Sequence, residues 1–248
     1  MSITLLFGNV GSGKTASCVR MMKMSPQKNY ITNINVHGKG FNHVTKLKAD
    51  MILKKELIKE KKSGEKVYKL TLNVDFWKDL IKKQEKVNII IDESHVFFNP
   101  RRSMSRINII MTDFLALLRR VLGGTDDTGE LILVTQLSRR LDVICKEMST
   151  KVTYCINHYQ SNCKKCSFSW QESNETPNKQ HFCKYCGSHN IKKIKSVIEV
   201  YDFQNIDSFM MFKDYGQKSY YNRYLIKDIE SVYNNYDTLQ FDDLLSEY

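Results

Sequence analysis

ITLLFGNVGSGKT, running from Ile3 to Thr15, decides how the rest of the chain is read. Ile3-Thr4-Leu5-Leu6-Phe7 is a short apolar run of strand character. Gly8-Asn9-Val10-Gly11-Ser12-Gly13-Lys14-Thr15 fits the spacing G-x-x-x-x-G-K-[ST], and Ala16 to Met24 is helix-forming. In that strand-loop-helix setting the glycines let backbone N–H groups converge on phosphate oxygens, and the helix adds its positive N-terminal end. Lys14 reaches the β and γ phosphates, and Thr15 holds Mg²⁺. The stretch therefore predicts a phosphate-binding loop for ATP.

Such a loop needs an acid on its metal side, at the C-terminal end of a parallel strand. Val87-Asn88-Ile89-Ile90-Ile91 is a short β-branched run that ends in Asp92-Glu93. Asp92 is positioned to hold Mg²⁺ and Glu93 to polarise an attacking water. Alone, an acid pair after a strand also fits a helix N-cap; beside a phosphate loop the metal role is favoured.

Between and after these motifs the pattern alternates. Asn29 to Val36 predicts a second strand, Lys46 to Lys62 a lysine-rich helix and Val67 to Leu72 another strand, with Gly64 turning between the last two. Ile107 to Leu122 predicts a helix with Arg119-Arg120 in its last turn and Gly123-Gly124 as a stop. Leu131 to Thr135 reads as a buried strand, followed in LVTQLSRRLD by Gln136 and a Ser-Arg-Arg cluster. Alternating strands and helices favour a mostly parallel sheet in an α/β fold. No internal repeat or proline-rich linker interrupts it.

Composition narrows the class. A chain of 248 residues, 42% hydrophobic and 26% charged, suits one sizeable core with a small appendage. No apolar run reaches the roughly 18 residues that span a bilayer, and the N-terminus lacks a signal peptide's basic flank, so a cytoplasmic location is expected. The net charge of +11 is uneven: nine acidic against four basic residues from Tyr201 onward make that part −5 and leave +16 on the first 200 residues. A basic body favours a polyanionic partner, although an AT-rich genome's lysine usage accounts for the composition equally well.

Cysteines carry the second strong pattern. In the expected reducing setting, seven cysteines point to metal before disulfides. Cys163-Lys164-Lys165-Cys166 and Cys183-Lys184-Tyr185-Cys186 are two C-x2-C knuckles sixteen residues apart, the spacing of a four-thiolate Zn²⁺ ribbon, with Gly187 permitting a tight turn. His158, His181 and His189 lie nearby without being needed. Lys164, Lys165, Lys184, His189, Lys192, Lys193 and Lys195, interleaved with Phe168, Trp170, Phe182 and Tyr185, suit phosphate and base contacts; a structural or protein-docking knob is the competing role. Cys18, Cys145 and Cys155 are single and apolar in context, hence small buried hydrophobes. Ser196 to Tyr201 predicts a strand returning to the sheet. The organisation expected is an ATPase core at 1–157, an inserted zinc ribbon at 158–195, and a returning strand with a tyrosine-rich, acidic tail at 196–248. That tail reads as a strap onto a neighbouring subunit or a partner-docking segment, with disorder beyond about Asp237 as the equal alternative.

The order of the P-loop strand, a TNI-type second strand, IIIDESHVFFNPRR, an arginine-bearing helix and LILVTQLSRRLD resembles the FtsK-HerA superfamily of P-loop translocases. Within it the chain is most similar to zonula occludens toxin-like ATPases, a group that includes filamentous-phage assembly proteins and neighbours viral DNA-packaging ATPases. The resemblance covers Met1 to Cys155 and implies a RecA-like P-loop NTPase fold. It also implies that Gln136 contacts the γ-phosphate or the lytic water, and that Arg119 or Arg120 reaches a neighbour's nucleotide in a hexameric ring around double-stranded DNA. The segment Gly123 to Gly129 is longer than the family's short turn, which leaves Arg139, Arg140, Arg101 and Arg102 as alternative trans arginines. Asp92-Glu93-Ser94-His95 also resembles the DEAH-type box of two-domain helicases, but too little chain follows Thr135 for a second such domain, so His95 reads as a packing or loop residue.

The resulting expectation is an ATP-hydrolysing, ring-forming DNA translocase, a viral genome-packaging or DNA-transfer motor, with a capsid or assembly protein as a further partner. The alternative is a virion-assembly or export ATPase that does not act directly on DNA. Proteins of that second kind usually carry a membrane helix where this chain carries the ribbon.

Overall fold

Leu5, Phe7, Ile89 to Ile91 and Leu131 to Thr135 are all buried, because each run is apolar on both faces and needs cover above and below. The computed structural model describes residues 2–60, 64, 66–83, 87–98, 106–122, 129–136, 141–175 and 182–237. Its strands are β1 (Ser2–Phe7), β2 (Asn29–Thr32), β3 (Val44–Lys46), β4 (Leu53–Glu60), β5 (Lys66–Leu72), β6 (Val87–Ile91), β7 (Glu130–Thr135), β8 (Lys151–Cys163), β9 (Ser169–Ser173), β10 (Ile191–Phe203) and β11 (Asn222–Ile226). Its α-helices are α1 (Lys14–Met24), α2 (Ala49–Ile52), α3 (Val74–Lys82), α4 (Arg106–Leu122), α5 (Val143–Met148) and α6 (Ile206–Tyr215).

The main sheet runs β11-β10-β8-β1-β7-β6-β2-β3, with β9 paired to the outer part of β8. From β3 to β8 all neighbours are parallel; β10 is antiparallel to β8, and β11 to β10. This is the expected mixed α/β fold with a mostly parallel sheet, closed on one side by an antiparallel flank.

Two apolar layers cover the sheet. On one face Trp77 of α3, Phe114 and Leu118 of α4, Cys145 of α5 and Phe209 of α6 pack against Leu5, Ile89, Ile91, Leu131 and Leu133. On the other, Val19 and Met22 of α1 join Ile229 and Val232 of a 3-10 helix, Ile229–Asn235, over Leu6, Ile90 and Ile132. Helix ends follow local chemistry. Asp142 caps α5 by accepting from the Ile144 N–H at 3.1 Å, Asn205 caps α6 from the Ser208 N–H at 2.9 Å, and Gly216 ends α6 at φ +67°.

Two sequence expectations are corrected. The lysine-rich helix over 46–62 is instead the end of β3, the short α2 and β4, which forms a separate antiparallel hairpin with β5 around Gly64. Helix-forming residues lose here to cross-strand pairing that sets Glu56 opposite Lys69 and Glu60 opposite Lys66. The second strand stops at Thr32, short of Val36, because Asn33 leaves the ladder to bond the backbone of Asp92.

The returning strand is longer than Ser196 to Tyr201. β8 and β10 pair from Val152↔Phe203 out to Cys163↔Ile191, with one irregularity between Lys193 and Lys195, so residues 157 and 195 lie inside two continuous strands. Near the middle of this arm the buried Glu199 accepts from His158 Nε2 at 2.8 Å and Arg223 Nε at 2.6 Å. Burial alone would raise its carboxyl, but bonds from His158, Arg223 and Tyr201 hold it below the ordinary value. A lowered folded value means that this stabilisation is complete above the unfolded glutamate value of about 4.3 and disappears as pH falls through the lowered one. In urea unfolding, Arg223→Gln is therefore expected to be less stable than the wild type at pH 7, with the difference shrinking towards pH 3; a difference constant across that range contradicts the assignment.

Candidate functional site

The phosphate loop leaves β1 at Gly8 and enters α1 at Gly13. A Cβ on Gly8 would lie 2.3 Å from Ser12 Oγ and 2.7 Å from the Cys155 carbonyl oxygen; one on Gly13, at φ +83°, would lie 2.3 Å from Ile198 Cδ1. Both positions exclude a side chain, which is why the loop can bring its backbone close to an anion. Lys14 is buried, and its Nζ donates to the Gly8 carbonyl at 2.8 Å and the Asn9 carbonyl at 3.2 Å. Burial pulls the Lys14 ammonium below its usual value, and the charges of Asp92 and Glu93 partly oppose that shift.

β7 lies between β1 and β6, so the ends of all three strands meet at one edge of the sheet. Thr15 Oγ1 donates to Asp92 Oδ2 at 2.6 Å. Asn33 clamps the Asp92 backbone both ways, its Nδ2 donating to the carbonyl at 2.9 Å and its Oδ1 accepting from the N–H at 2.7 Å. Burial pushes the Asp92 carboxyl up, although Thr15 and the Glu93 N–H donate to it; a cation beside it would reverse that penalty. A hydroxyl and a carboxylate converging in this way are hard oxygen donors that fit Mg²⁺.

Glu93 occupies a left-handed backbone position at φ 49°, unusual for a residue with a side chain. Its Oε1 accepts from Gln136 Nε2 at 2.8 Å. Its Oε2 is buried without a hydrogen-bond partner; His95 Nδ1 lies 3.2 Å away but is not aligned as a donor, and it also sits 3.3 Å from Thr135 Oγ1. Ser94 Oγ anchors the turn by donating to the Val134 carbonyl at 3.0 Å.

These groups open onto a cavity of about 470 Å³ whose lining includes Gly11, Lys14, Asp92, Glu93 and Gln136 together with Val10, Ile34, Tyr233 and Tyr236. That volume lies within the range of small-molecule sites. The loop is also held from outside. Asn9 Nδ2 donates to Glu175 Oε1 at 2.8 Å, and Asn157 Nδ2 donates to the Gly11 carbonyl at 3.2 Å. Glu175 in turn accepts from Tyr154 OH at 2.8 Å and pairs with Lys213 Nζ at 2.9 Å.

The structure thus brings the Gly8 to Thr15 loop, Asp92, Glu93 and Gln136 together. Arg119 and Arg120 fall in the last turn of α4, but their side chains lie outside the described residues, as do Arg101, Arg102, Arg139, Arg140 and His181. His95, expected as a packing or loop residue, lies in the turn Ser94–Val96 with its Nδ1 3.2 Å from Glu93 Oε2. Asn33, Asn157 and Glu175 were not anticipated: Asn33 carries no spacing signal, and Glu175 meets Asn9 across 166 positions. Of the tail, expected as a strap onto a neighbouring subunit or a partner-docking segment, the stretch from Ile229 to Tyr236 lies against α1 of the same chain, and residues 238–248 lie outside the described residues.

At the tip of the arm the four sulfurs of Cys163, Cys166, Cys183 and Cys186 all lie within 4.8 Å of one another. Cys163 to Cys186 and Cys166 to Cys183 are each 3.6 Å, close to the roughly 3.8 Å between sulfurs bound tetrahedrally at about 2.3 Å from Zn²⁺. The two turns match: Ser167 N–H donates to the Cys163 carbonyl at 2.8 Å and Gly187 N–H to that of Cys183 at 2.9 Å, with φ +61° and +69° at those residues. Cys18, Cys145 and Cys155 are buried, as expected, and burial pushes their thiols up.

The family model for zonular occludens toxin (Zot) matches residues 2–216. Comparison with curated proteins gives no match. Among solved structures, the N-terminal domain of zonular occludens toxin from Neisseria meningitidis aligns over 95% of this chain and 98% of its own, at 17% identity and a TM-score of 0.48. The genome packaging NTPase B204 of Sulfolobus turreted icosahedral virus 2, in complex with ATP-gammaS, aligns over 62% of this chain and 74% of its own, at 15% identity and a TM-score of 0.38. The FIGL-1 AAA domain in complex with ADP aligns over 62% of this chain and 42% of its own, at 19% identity and a TM-score of 0.35.

Proposed function

The chain belongs to the zonular occludens toxin (Zot) family, and from that premise we propose that it is an ATP-hydrolysing motor of the phage or virus type that forms rings and moves double-stranded DNA. The observation that carries the ATPase part is the meeting of Thr15 with Asp92 and of Gln136 with Glu93 at one sheet edge beside Lys14. The loop from Gly8 to Gly13 and Lys14 bind the phosphates, and Thr15 and Asp92 hold Mg²⁺, which supplies charge neutralisation on the transferring phosphoryl group. Glu93 takes a proton from the attacking water. Gln136 orients Glu93 and, through it, that water. Arg119 or Arg120 serves the neighbouring subunit's nucleotide.

The four-cysteine cluster is assigned to Zn²⁺, a structural staple at the end of an arm with little apolar core of its own. Around it, Phe168 stacks within 5.9 Å of Trp170 and 6.0 Å of Tyr185, while Lys164, Lys165 and Lys184 are exposed at the knuckle turns. Flat rings beside cations favour the nucleic-acid role for this tip over a docking knob. Among the described residues no helix is long and apolar enough to cross a membrane; the motor is assigned to the host cytoplasm, with a capsid or assembly protein as partner.

ATP turnover measured with and without duplex DNA at low salt tests this function. Wild-type turnover is expected to rise with DNA, and Glu93→Gln to lose on the order of 10²–10⁴-fold while still binding ATP. If DNA leaves the rate unchanged and does not bind, the motor is overturned in favour of an assembly or export ATPase. Metal analysis is expected to find one zinc per chain, lost in Cys163→Ser while ATP turnover persists; a zinc-free wild-type protein contradicts the ribbon.

A further inference from the structure

The family match ends at residue 216, and the segment that walls the nucleotide cavity lies beyond it. After β11 the chain turns at Asp228, φ +55°, into the 3-10 helix Ile229–Asn235, which lays Ile229 and Val232 into the α1 side of the core. Its end is fastened at several points. His37 N–H donates to the Asn235 carbonyl at 2.8 Å, Lys23 Nζ donates to Asn235 Oδ1 at 2.8 Å, and Tyr236 forms an antiparallel bridge with Val36. At its start, Glu230 accepts from the Ser196 N–H. The consequence is that Tyr233, Tyr236 and Asp237 line the same cavity as the phosphate loop.

What this strap adds suits a flat base better than it suits a chain of phosphates. The part of the cavity formed by Gly11, Gly13, Lys14 and Thr15 offers N–H groups and a cation, whereas the strap offers two phenol rings and a carboxylate. A carboxylate repels a polyphosphate, and a ring face suits a flat heterocycle. Tyr236, 8% exposed, is fixed in the core and works as wall; Tyr233, 39% exposed, keeps a ring free to meet a ligand. Val10, 68% exposed at the tip of the loop, and Ile34 supply further apolar surface in the same cavity.

We propose that residues 229–237 form a nucleoside subsite on the chain's own ATP site, in which Tyr233 stacks on the base. The subsite rests on the ATP assignment above, and it makes the segment beyond the family match part of substrate binding. The strap acts in cis, so each subunit carries its own base contact whatever ring it joins.

Calorimetric titration of the full, zinc-loaded chain with Mg²⁺-ATP and, separately, with Mg²⁺-tripolyphosphate separates base from phosphate contacts. Tyr233→Ala is expected to weaken ATP by about 3- to 10-fold, the range of one aromatic stacking contact, and to leave tripolyphosphate unchanged; Tyr233→Phe keeps ATP affinity. Equal weakening of both ligands makes the strap a structural brace and overturns the subsite, as does unchanged ATP affinity. If the wild type binds tripolyphosphate but ATP no more tightly, the subsite fails while the phosphate loop stands. If it binds neither, the ATP assignment falls and the subsite with it.

Discussion

Because β7 is hydrogen-bonded to β1 on one side and to β6 on the other, with Phe7 opposite Thr135 and Ile91 opposite Leu133, three remote pieces of sequence end at one edge of the sheet. The meeting of Thr15 with Asp92 and of Gln136 with Glu93 depends on that parallel register. A slip of one residue would turn Gln136 to the opposite face, and its bond to Glu93 would be lost. The near-continuous apolar character of the three strands secures the register, since each is buried on both faces and has no polar side to present to water. Asn33 adds a fourth strand end, fixing the Asp92 backbone from the β2 side.

Around this edge the structure uses segments that are far apart in the chain to hold a loop that cannot hold itself. Three glycines between Gly8 and Gly13 leave the phosphate loop with few side chains to pack, so its position is set from outside. Asn157 and Glu175, from β8 and from just beyond β9, bond Gly11 and Asn9, and Cys155 crowds Gly8. The arm that ends in the four cysteines is therefore not an appendage on a linker. Its strands are the sheet's own β8 and β10, and its base touches the loop. On the other side of α1 the 3-10 helix closes the cavity with tyrosines.

Much of the core was legible because its signals are local. A strand that runs into Gly8 to Thr15, an apolar run that ends in Asp92-Glu93, and two C-x2-C pairs are each readable from short stretches of the chain. The misread helix over 46–62 shows the limit: lysine, leucine and glutamate favour a helix until a partner strand with Tyr68 and Val67 is in place. His95 was set aside because a lone histidine has no local mark of function, and only the fold sets it 3.2 Å from Glu93. Glu175 and Tyr233 belong to the same class: their partners lie on other parts of the chain, and no periodicity announces a contact made by tertiary folding alone.

The central claim is that Glu93 and Gln136 act as one catalytic unit, joined by the 2.8 Å bond between them. A double-mutant cycle on single-turnover ATP hydrolysis, with Glu93→Gln, Gln136→Ala and the pair, tests it most directly. The account predicts that the double variant is no slower than Glu93→Gln alone. Losses that multiply would contradict it and separate the two residues into independent roles.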